Sequence, residues 1–366
     1  MNIRLNAKIF VIEQLNFKKT VIVLTKNCTF IAVLEAITTL FLILLRNICS
    51  PVNRMKRFFI LVVFLSGGWP LVFSQQNTLI TQYMFNNMAF NPAYAGSSGG
   101  ICVKGLVREQ WIGFKDEDGN TIAPETFLLT VDAPIRILHG GIGGSISQDK
   151  LGFFSNIAVK LGYAYIMGLG QGDLSIGLQL DFQNTKLDFS KFKPVDSDDE
   201  LINGKSSETD MMFDLSAGLF YKIQDKFWVG LSGDQLLQSK GHNTNYQLKR
   251  HFYLASGYQW VIPNHPLFEL QPSLLLKYDG AVFQFDLSGL VWYNNKFYGG
   301  LSYRYQDAVS ILAGLSIKSF RVGLAYDINT SKLSKYNNGS IEVMLGYCFK
   351  IDTDKFRKSY RNTRFL

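Results

Sequence analysis

Beyond residue 100 the chain alternates with a period of two. Leu174, Ile176, Leu178, Leu180 and Phe182 interleave with Asp173, Ser175, Gly177, Gln179 and Asp181. Phe283, Phe285, Leu287 and Val291 alternate with Gln284, Asp286 and Ser288, and Val322, Leu324, Tyr326 and Ile328 with Arg321, Gly323, Ala325 and Asp327. Successive side chains of a strand point to opposite faces, so the pattern predicts strands with one face in an apolar medium and the other in a polar one. About fourteen such runs follow one another, beginning near Ile101, Thr126, Gly140, Asn156, Asp173, Met211, Phe227, His251, Phe268, Phe283, Phe297, Val309, Arg321 and Ser340. Many approach the ~10 residues of a tilted membrane strand.

The connections sort by length. Short ones fall at 135–139, 223–226, 262–266, 294–295 and 318–319; long ones fall at 114–125, 185–209, 237–250 and 329–339. Counted from the first strand, every long connection is odd-numbered. Outer-membrane barrels follow this rule, with short periplasmic turns, long external loops and both termini inside. A soluble β-sandwich also alternates, but it predicts no parity in loop length and a polar outer face. Tyr221, Tyr258, Tyr278, Tyr293, Tyr305 and Tyr347 stand at run ends, where a barrel carries its aromatic girdles. The expected fold is all-β: a transmembrane antiparallel β-barrel of about fourteen strands behind an N-terminal signal or extension.

Composition agrees. Of 366 residues, 47% are hydrophobic and only 18% charged, against roughly 25% charged in an ordinary soluble domain. The net charge of +8 is local. Residues 1–74 are strongly basic, the tail 352–366 carries five basic and two acidic residues, and the chain beyond residue 74 is close to neutral. No basic stripe with interleaved aromatics remains for nucleic acid.

The N-terminal region reads as targeting sequence. Met55-Lys56-Arg57 and the apolar run 58–65 form a positive n-region and an h-region, and Val72-Phe73-Ser74 offers a cleavage site before Gln75. Residues 55–74 are therefore expected to be a signal peptide, with Met55 as the true start and 1–54 a mis-called extension. The alternative for 1–54 is an anchor helix, but its apolar stretch 30–45 carries Glu35 and is shorter than the ~20 residues of a span. The remaining expected parts are a plug or lead-in segment over 75–100, the barrel over 101–351 and a periplasmic tail over 352–366.

Two motifs lie in and after the lead-in. Gln82-Tyr83-Met84-Phe85-Asn86 is followed by Asn91-Pro92-Ala93-Tyr94-Ala95-Gly96, and then by Arg108, Gln110 and Trp111. With the terminal run 342–347 and Asp132-Ala133-Pro134, these resemble the PorP/SprF family of outer-membrane proteins of the type IX secretion and gliding apparatus. The resemblance covers Gln75 to about Lys350. It departs from the family at 1–54 and in the proline usual ahead of the QYM segment. It implies a non-enzymatic component that helps export or hold large adhesin-like proteins, through the client's C-terminal domain, beside periplasmic ring and motor components. A passive porin or lipid-type channel on the same barrel is the rival.

From the residues themselves, Asn91-Pro92 and Ala95-Gly96 are turn formers, and small Ala93 and Ala95 allow close packing around Tyr94. The segment is expected to tuck under or into the periplasmic mouth. Arg108 is expected in the lumen with Asp132, Asp173 or Asp181 as partners, and Trp111 on the opposite, lipid-facing side at the outer rim. Closure makes the first and last strands neighbours, so Cys102 and Cys348 should be near one another inside the periplasmic mouth. They are either bonded, which an oxidising compartment permits, or held apart as free thiols by a register shift.

Catalytic chemistry is absent from the pattern. His139, His242, His251 and His265 have no ligand spacing. The glycine run 140–144 leads into a strand and not a phosphate-binding helix. No G-x-S-x-G elbow occurs, and the acidic clusters 116–120 and 198–200 lack calcium-loop spacing. No cofactor, metal or catalytic group is expected. The partners expected are outer-membrane lipid, a secreted surface protein met by the loops 185–209 and 237–250, and periplasmic secretion or motor components near the tail.

Overall fold

The structure is a computed structural model, and it describes residues 78–115, 119, 122–189, 207–224, 226–244 and 246–350. The expected extension, signal peptide and tail, the acidic clusters at 116–118 and 198–200, and most of the loop 185–209 lie outside the described residues. The first strands are β1 (Gly100–Glu109), β2 (Glu125–Ile135), β3 (Gly140–Leu151), β4 (Phe154–Leu169) and β5 (Gly172–Asp188). They are followed by β6 (Ser207–Ile223), β7 (Phe227–Asp234), β8 (His251–Tyr258), β9 (Trp260–Val261) and β10 (Phe268–Tyr278). The last are β11 (Phe283–Tyr293), β12 (Phe297–Arg304), β13 (Ala308–Ile317), β14 (Phe320–Asn329) and β15 (Ser340–Lys350).

Apart from β9, each strand pairs antiparallel with the next along the chain, β8 with β10, and β15 returns to pair with β1. The two-residue β9 prolongs β8 past Gln259 and pairs with Glu269 and Leu270 of β10. Fourteen strands therefore close a barrel. Closure matters because an open sheet edge in hydrocarbon would leave a row of unpaired backbone N–H and C=O groups.

The two faces decide between barrel and sandwich. On β5, Leu178 is 69% exposed and its neighbour Gln179 only 4%. Val107, Leu161, Leu301, Leu324 and Leu345 are likewise exposed, while Lys104, Arg108, Asp181, Asp286 and Glu342 are buried inside. A soluble sandwich would have the opposite polarity; an apolar exterior around a polar interior is that of a membrane barrel. Exposed Tyr258 and Tyr293 sit at one end of the strands and Tyr278 and Tyr305 at the other, marking two girdles.

The connections keep their parity. The β2–β3, β4–β5, β6–β7, β11–β12 and β13–β14 turns are tight, and β1–β2, β5–β6, β7–β8 and β14–β15 are long. By the outer-membrane rule the end with the long loops faces the cell surface, here called the outer end. Asn294 and Asn295 both take positive φ, 52° and 51°, the left-handed pair that a type I′ hairpin requires. Strands β4, β5 and β6 run to 16 or 17 residues, so a wall of strand stands about 20 Å beyond the ~10 residues a bilayer needs. β6 outruns β7 at the outer end, with 207–216 lying beyond the Ala217↔Gly233 pair, whereas β4 outruns β3 at the inner end, with 166–169 lying beyond Gly140↔Tyr165.

The seam between the first and last strands is covalent. Cys102 and Cys348 are direct partners in the β1–β15 ladder, their Cα atoms are 4.1 Å apart, and they form a disulfide. The bond closes a loop with a sequence separation of 246, for which chain-entropy reasoning gives about 5–6 kcal/mol of destabilisation of the unfolded chain. We predict that Cys348→Ser leaves a closed barrel, since the whole β1–β15 ladder remains, but lowers its unfolding temperature in detergent. An unfolding midpoint that is the same for the variant and the oxidised parent would show that the bond contributes nothing.

Candidate functional site

The interior is occupied by the residues ahead of β1. Three short 3₁₀ turns, Tyr83–Phe85, Asn87–Ala89 and Pro92–Tyr94, carry the chain through the lumen. Gln82, Tyr83, Asn86, Ala93 and Ala95 are completely buried and Met84, Asn91 and Met88 nearly so. The segment therefore reaches much deeper than a plug at the periplasmic mouth.

The local sequence explains the path. Asn91 is extended, and its side-chain oxygen accepts the Ala93 N–H at 2.9 Å while Pro92 takes the first position of the turn, where a missing donor costs nothing. Its amide donates to the Leu219 carbonyl at 3.0 Å, tying the turn to β6. Gly96 has φ +77°, and a Cβ there would stand 2.7 Å from the Gly141 Cα. The glycine run of β3 thus receives the segment: Gly141 faces Gly96, and Gly143 faces the Met88 side chain. Gly177 of β5 lies against the Pro92–Ala93 backbone in the same way.

Aromatic and cationic contacts fill the middle. The Phe85 ring lies 6.0 Å from Trp292 and 5.0 Å from Tyr298, with the Arg321 guanidinium 4.8 Å from its centroid. Tyr94 meets Phe220 edge-on at 5.3 Å and receives the Lys104 ammonium at 4.9 Å. The Tyr83 hydroxyl donates toward Ser273 Oγ at 3.2 Å. A cavity of about 40 Å³ beside Thr78, Ile80, Lys160 and Lys277 is small against the ~300–1,000 Å³ of a ligand pocket.

A charge cluster at the outer end holds the segment. Arg108 Nη2 reaches Asp327 at 2.6 Å and Nη1 reaches Glu342 at 3.3 Å. Arg304 bridges Asp286 at 3.2 Å, Asp307 at 3.4 Å and Asp327 at 3.5 Å. Both arginines donate to Thr81 Oγ1, at 3.0 and 3.2 Å, and that hydroxyl donates to Asp327. Glu342 accepts the backbone N–H groups of Thr81 and Gln82 at 2.8 and 2.9 Å. Hydrogen bonds to an ionised acceptor are the strong class, and here they clamp main chain to wall.

Several expected placements change. The partners of Arg108 are Asp327 and Glu342, not Asp132, Asp173 or Asp181. Asp132 is opposite Cys102, near the other end of β2, and faces Lys104 at 3.9 Å. Asp181 bonds Ser216, which also bonds Asp234, the ion partner of Lys160 at 2.6 Å. Asp173 stands at the inner end of β5, opposite Lys222. Gln110 and Trp111 are past the end of β1. Trp111 turns into the left-handed region with φ 56° and packs on Phe114 at 6.0 Å, so it does not alternate with Arg108 on a strand. Glu342 was legible in principle, because closure puts it opposite Arg108 in the β1–β15 register. Asp286, Arg304 and Asp327 carried no motif signal beyond their lumen-facing parity, and Thr81, outside any strand, carried none.

On the outer side, the β7–β8 loop is pinned to the tall wall. Asp210 accepts the N–H groups of His242, Asn243 and Thr244 at 3.0, 2.9 and 2.6 Å, and Asp214 accepts those of Leu237 and Ser239 at 2.8 and 3.1 Å.

The profile of the type IX secretion system membrane protein PorP/SprF matches residues 72–347. The chain belongs to the PorP/SprF family. That span takes in the lumen segment, β1 to β14, most of β15 and all the residues of the clamp. No curated protein matches the chain. Among solved structures this PorP/SprF member is similar to the Ralstonia pickettii toluene transporter TbuX, at 12% identity and TM-score 0.43, over 74% of this chain and 93% of that one. It is also similar to the Acinetobacter baumannii outer membrane protein Omp33, at 9% identity and TM-score 0.39, over 69% and 99%. A third likeness is to the TodX deltaS2S3 mutant monoaromatic hydrocarbon channel, at 12% and 0.46, over 75% and 95%. This PorP/SprF protein is an outer-membrane β-barrel.

The clamp is testable. Glu342→Ala leaves Arg108 with Asp327 alone and strips the Thr81 and Gln82 N–H groups of their acceptor, and breaking a buried pair costs about 3–5 kcal/mol. The expected outcome is a large fall in denaturant midpoint with the barrel still able to form, read by heat-modifiable migration. Gly177→Val should act through the Ala93 contact instead, exposing the segment to protease without touching the charges; a variant as protease-resistant as the parent would refute that contact.

Proposed function

We propose that this PorP/SprF protein is a non-enzymatic outer-membrane component of the type IX secretion and gliding apparatus that supports export or surface attachment of large adhesin-like clients. The observation that carries this is family membership across residues 72–347. The filled lumen supports a holding or assembly role over passive diffusion, since Gln82, Tyr83 and Asn86 are sealed against the wall. The client's C-terminal domain is the part expected to dock. The outer platform, where Asp210 and Asp214 fix the β7–β8 loop against β6, is the surface offered to it. Periplasmic ring and motor components are the partners on the inner side, and the net basic charge of 352–366 suits them or anionic head groups.

The rival is a passive porin or lipid-type channel. Deleting the gene separates the two: loss of one class of surface protein with normal solute uptake supports the accessory role, and impaired uptake with normal surface proteins supports the channel. In planar bilayers the purified barrel is expected to show no steady open conductance. Asp210→Ala should reduce client retention at the surface without changing the amount of barrel in the membrane, measured by surface proteomics alongside immunoblotting. Unchanged retention would remove the β7–β8 loop from the docking surface.

A further inference from the structure

The lumen segment enters the barrel from the end opposite to the one at which it joins β1. Thr78 Oγ1 donates to Asp149 Oδ2 at 2.6 Å, near the outer end of β3 (Gly140–Leu151). Leu79 lies among His251, Tyr278, Asp279, Val282 and Gln284, which are the outer ends of β8, β10 and β11 and the turn between the last two. Thr81 and Gln82 are clamped by Arg108, Asp327 and Glu342, again at outer strand ends. By contrast Gly96 rests on Pro134 and Gly141, and the Ser97 carbonyl accepts Lys222 Nζ at 3.3 Å, both at the inner end. From Thr78 to Gly96 the chain crosses the lumen once, outer mouth to inner mouth.

We infer that the amino end of the folded protein is displayed at the cell surface, and that the leader is cut from it upstream of Thr78 before the barrel closes. The reason is steric. Gln82, Tyr83, Asn86, Ala93 and Ala95 have no exposed surface, so the interior has no room for a second pass of chain back to the periplasm. A leader still attached and anchored on the periplasmic side would need that second pass. Cleavage is hydrolysis of one peptide bond: water supplies the hydroxyl of the leader's new carboxyl group and a proton to the new amine. This placement rests on the barrel orientation assigned from the long loops.

The test uses single cysteines in the full chain, whose two native barrel cysteines are bonded to each other, and a membrane-impermeant charged maleimide. Leu79→Cys should be labelled in intact cells, as should Lys240→Cys in the β7–β8 loop. Ser97→Cys should be labelled only after the outer membrane is opened. Should Leu79→Cys fail to assemble, Thr78→Cys, which loses the Asp149 bond, carries the same readout. Labelling of Lys240→Cys but not of the segment cysteines in intact cells overturns the inference and leaves the orientation standing. A requirement for opening the membrane at Lys240→Cys as well shows that the orientation itself is inverted, and the inference falls with it. Intact-mass measurement of the purified native protein should place its first residue shortly before Thr78; a chain retaining residues 1–54 overturns the inference independently.

Discussion

Two guanidinium groups buried at the outer end of the barrel have to be answered by carboxylates, and most of the molecule's organisation follows from how that is done. Arg108 and Arg304 share Asp327, while Asp286 and Glu342 complete the set. The groups come from β1, β11, β12, β14 and β15, so the cluster exists only when the first and last strands meet. Glu342 then has lone pairs left over, and these take two backbone N–H groups of the incoming segment. A buried carboxylate without such partners would be strongly unfavourable. Barrel closure and lumen filling are thus one electrostatic event.

The wall is shaped to receive that segment. Glycines at lumen-facing positions of β3 and β5 let main chain approach main chain, and the aromatic residues of the segment, Phe85 and Tyr94, go where the wall offers Trp292, Tyr298 and Phe220. A barrel of fourteen strands has an interior too wide for its own side chains to fill, because diameter grows with strand number. The N-terminal segment supplies the missing core. This ties the family motif to a physical role: its turn formers, small residues and aromatics are the ones that a chain packed through a polar tube requires.

How much of this was legible before the structure depends on how far along the chain each signal reaches. Strand positions, facing and loop parity came through because they are local and repeat every two residues; Leu178 and Gln179 fall on the faces that alternation assigns to them. Cys102 and Cys348 could be placed together because closure relates the first strand to the last. The partners of Arg108 did not come through, because the choice among several acidic residues depends on height in the barrel. Asp132 faces inward like Arg108 but sits at the other end of the ladder. Trp111 left its strand because a left-handed turn intervened after Glu109, and no glycine or proline at that position announced it.

The sequence by itself determined a membrane barrel, its approximate strand count and its family, since these rest on periodicity, spacing and contiguous motifs. Only the tertiary structure decided that the lead-in crosses the whole lumen, that it enters from the outer end, and that a two-arginine cluster clamps its backbone. Those facts depend on which residues share a height inside a closed cylinder. Strand register and the path of an irregular segment set that height, and neither is written in an alternation whose only information is inside versus outside.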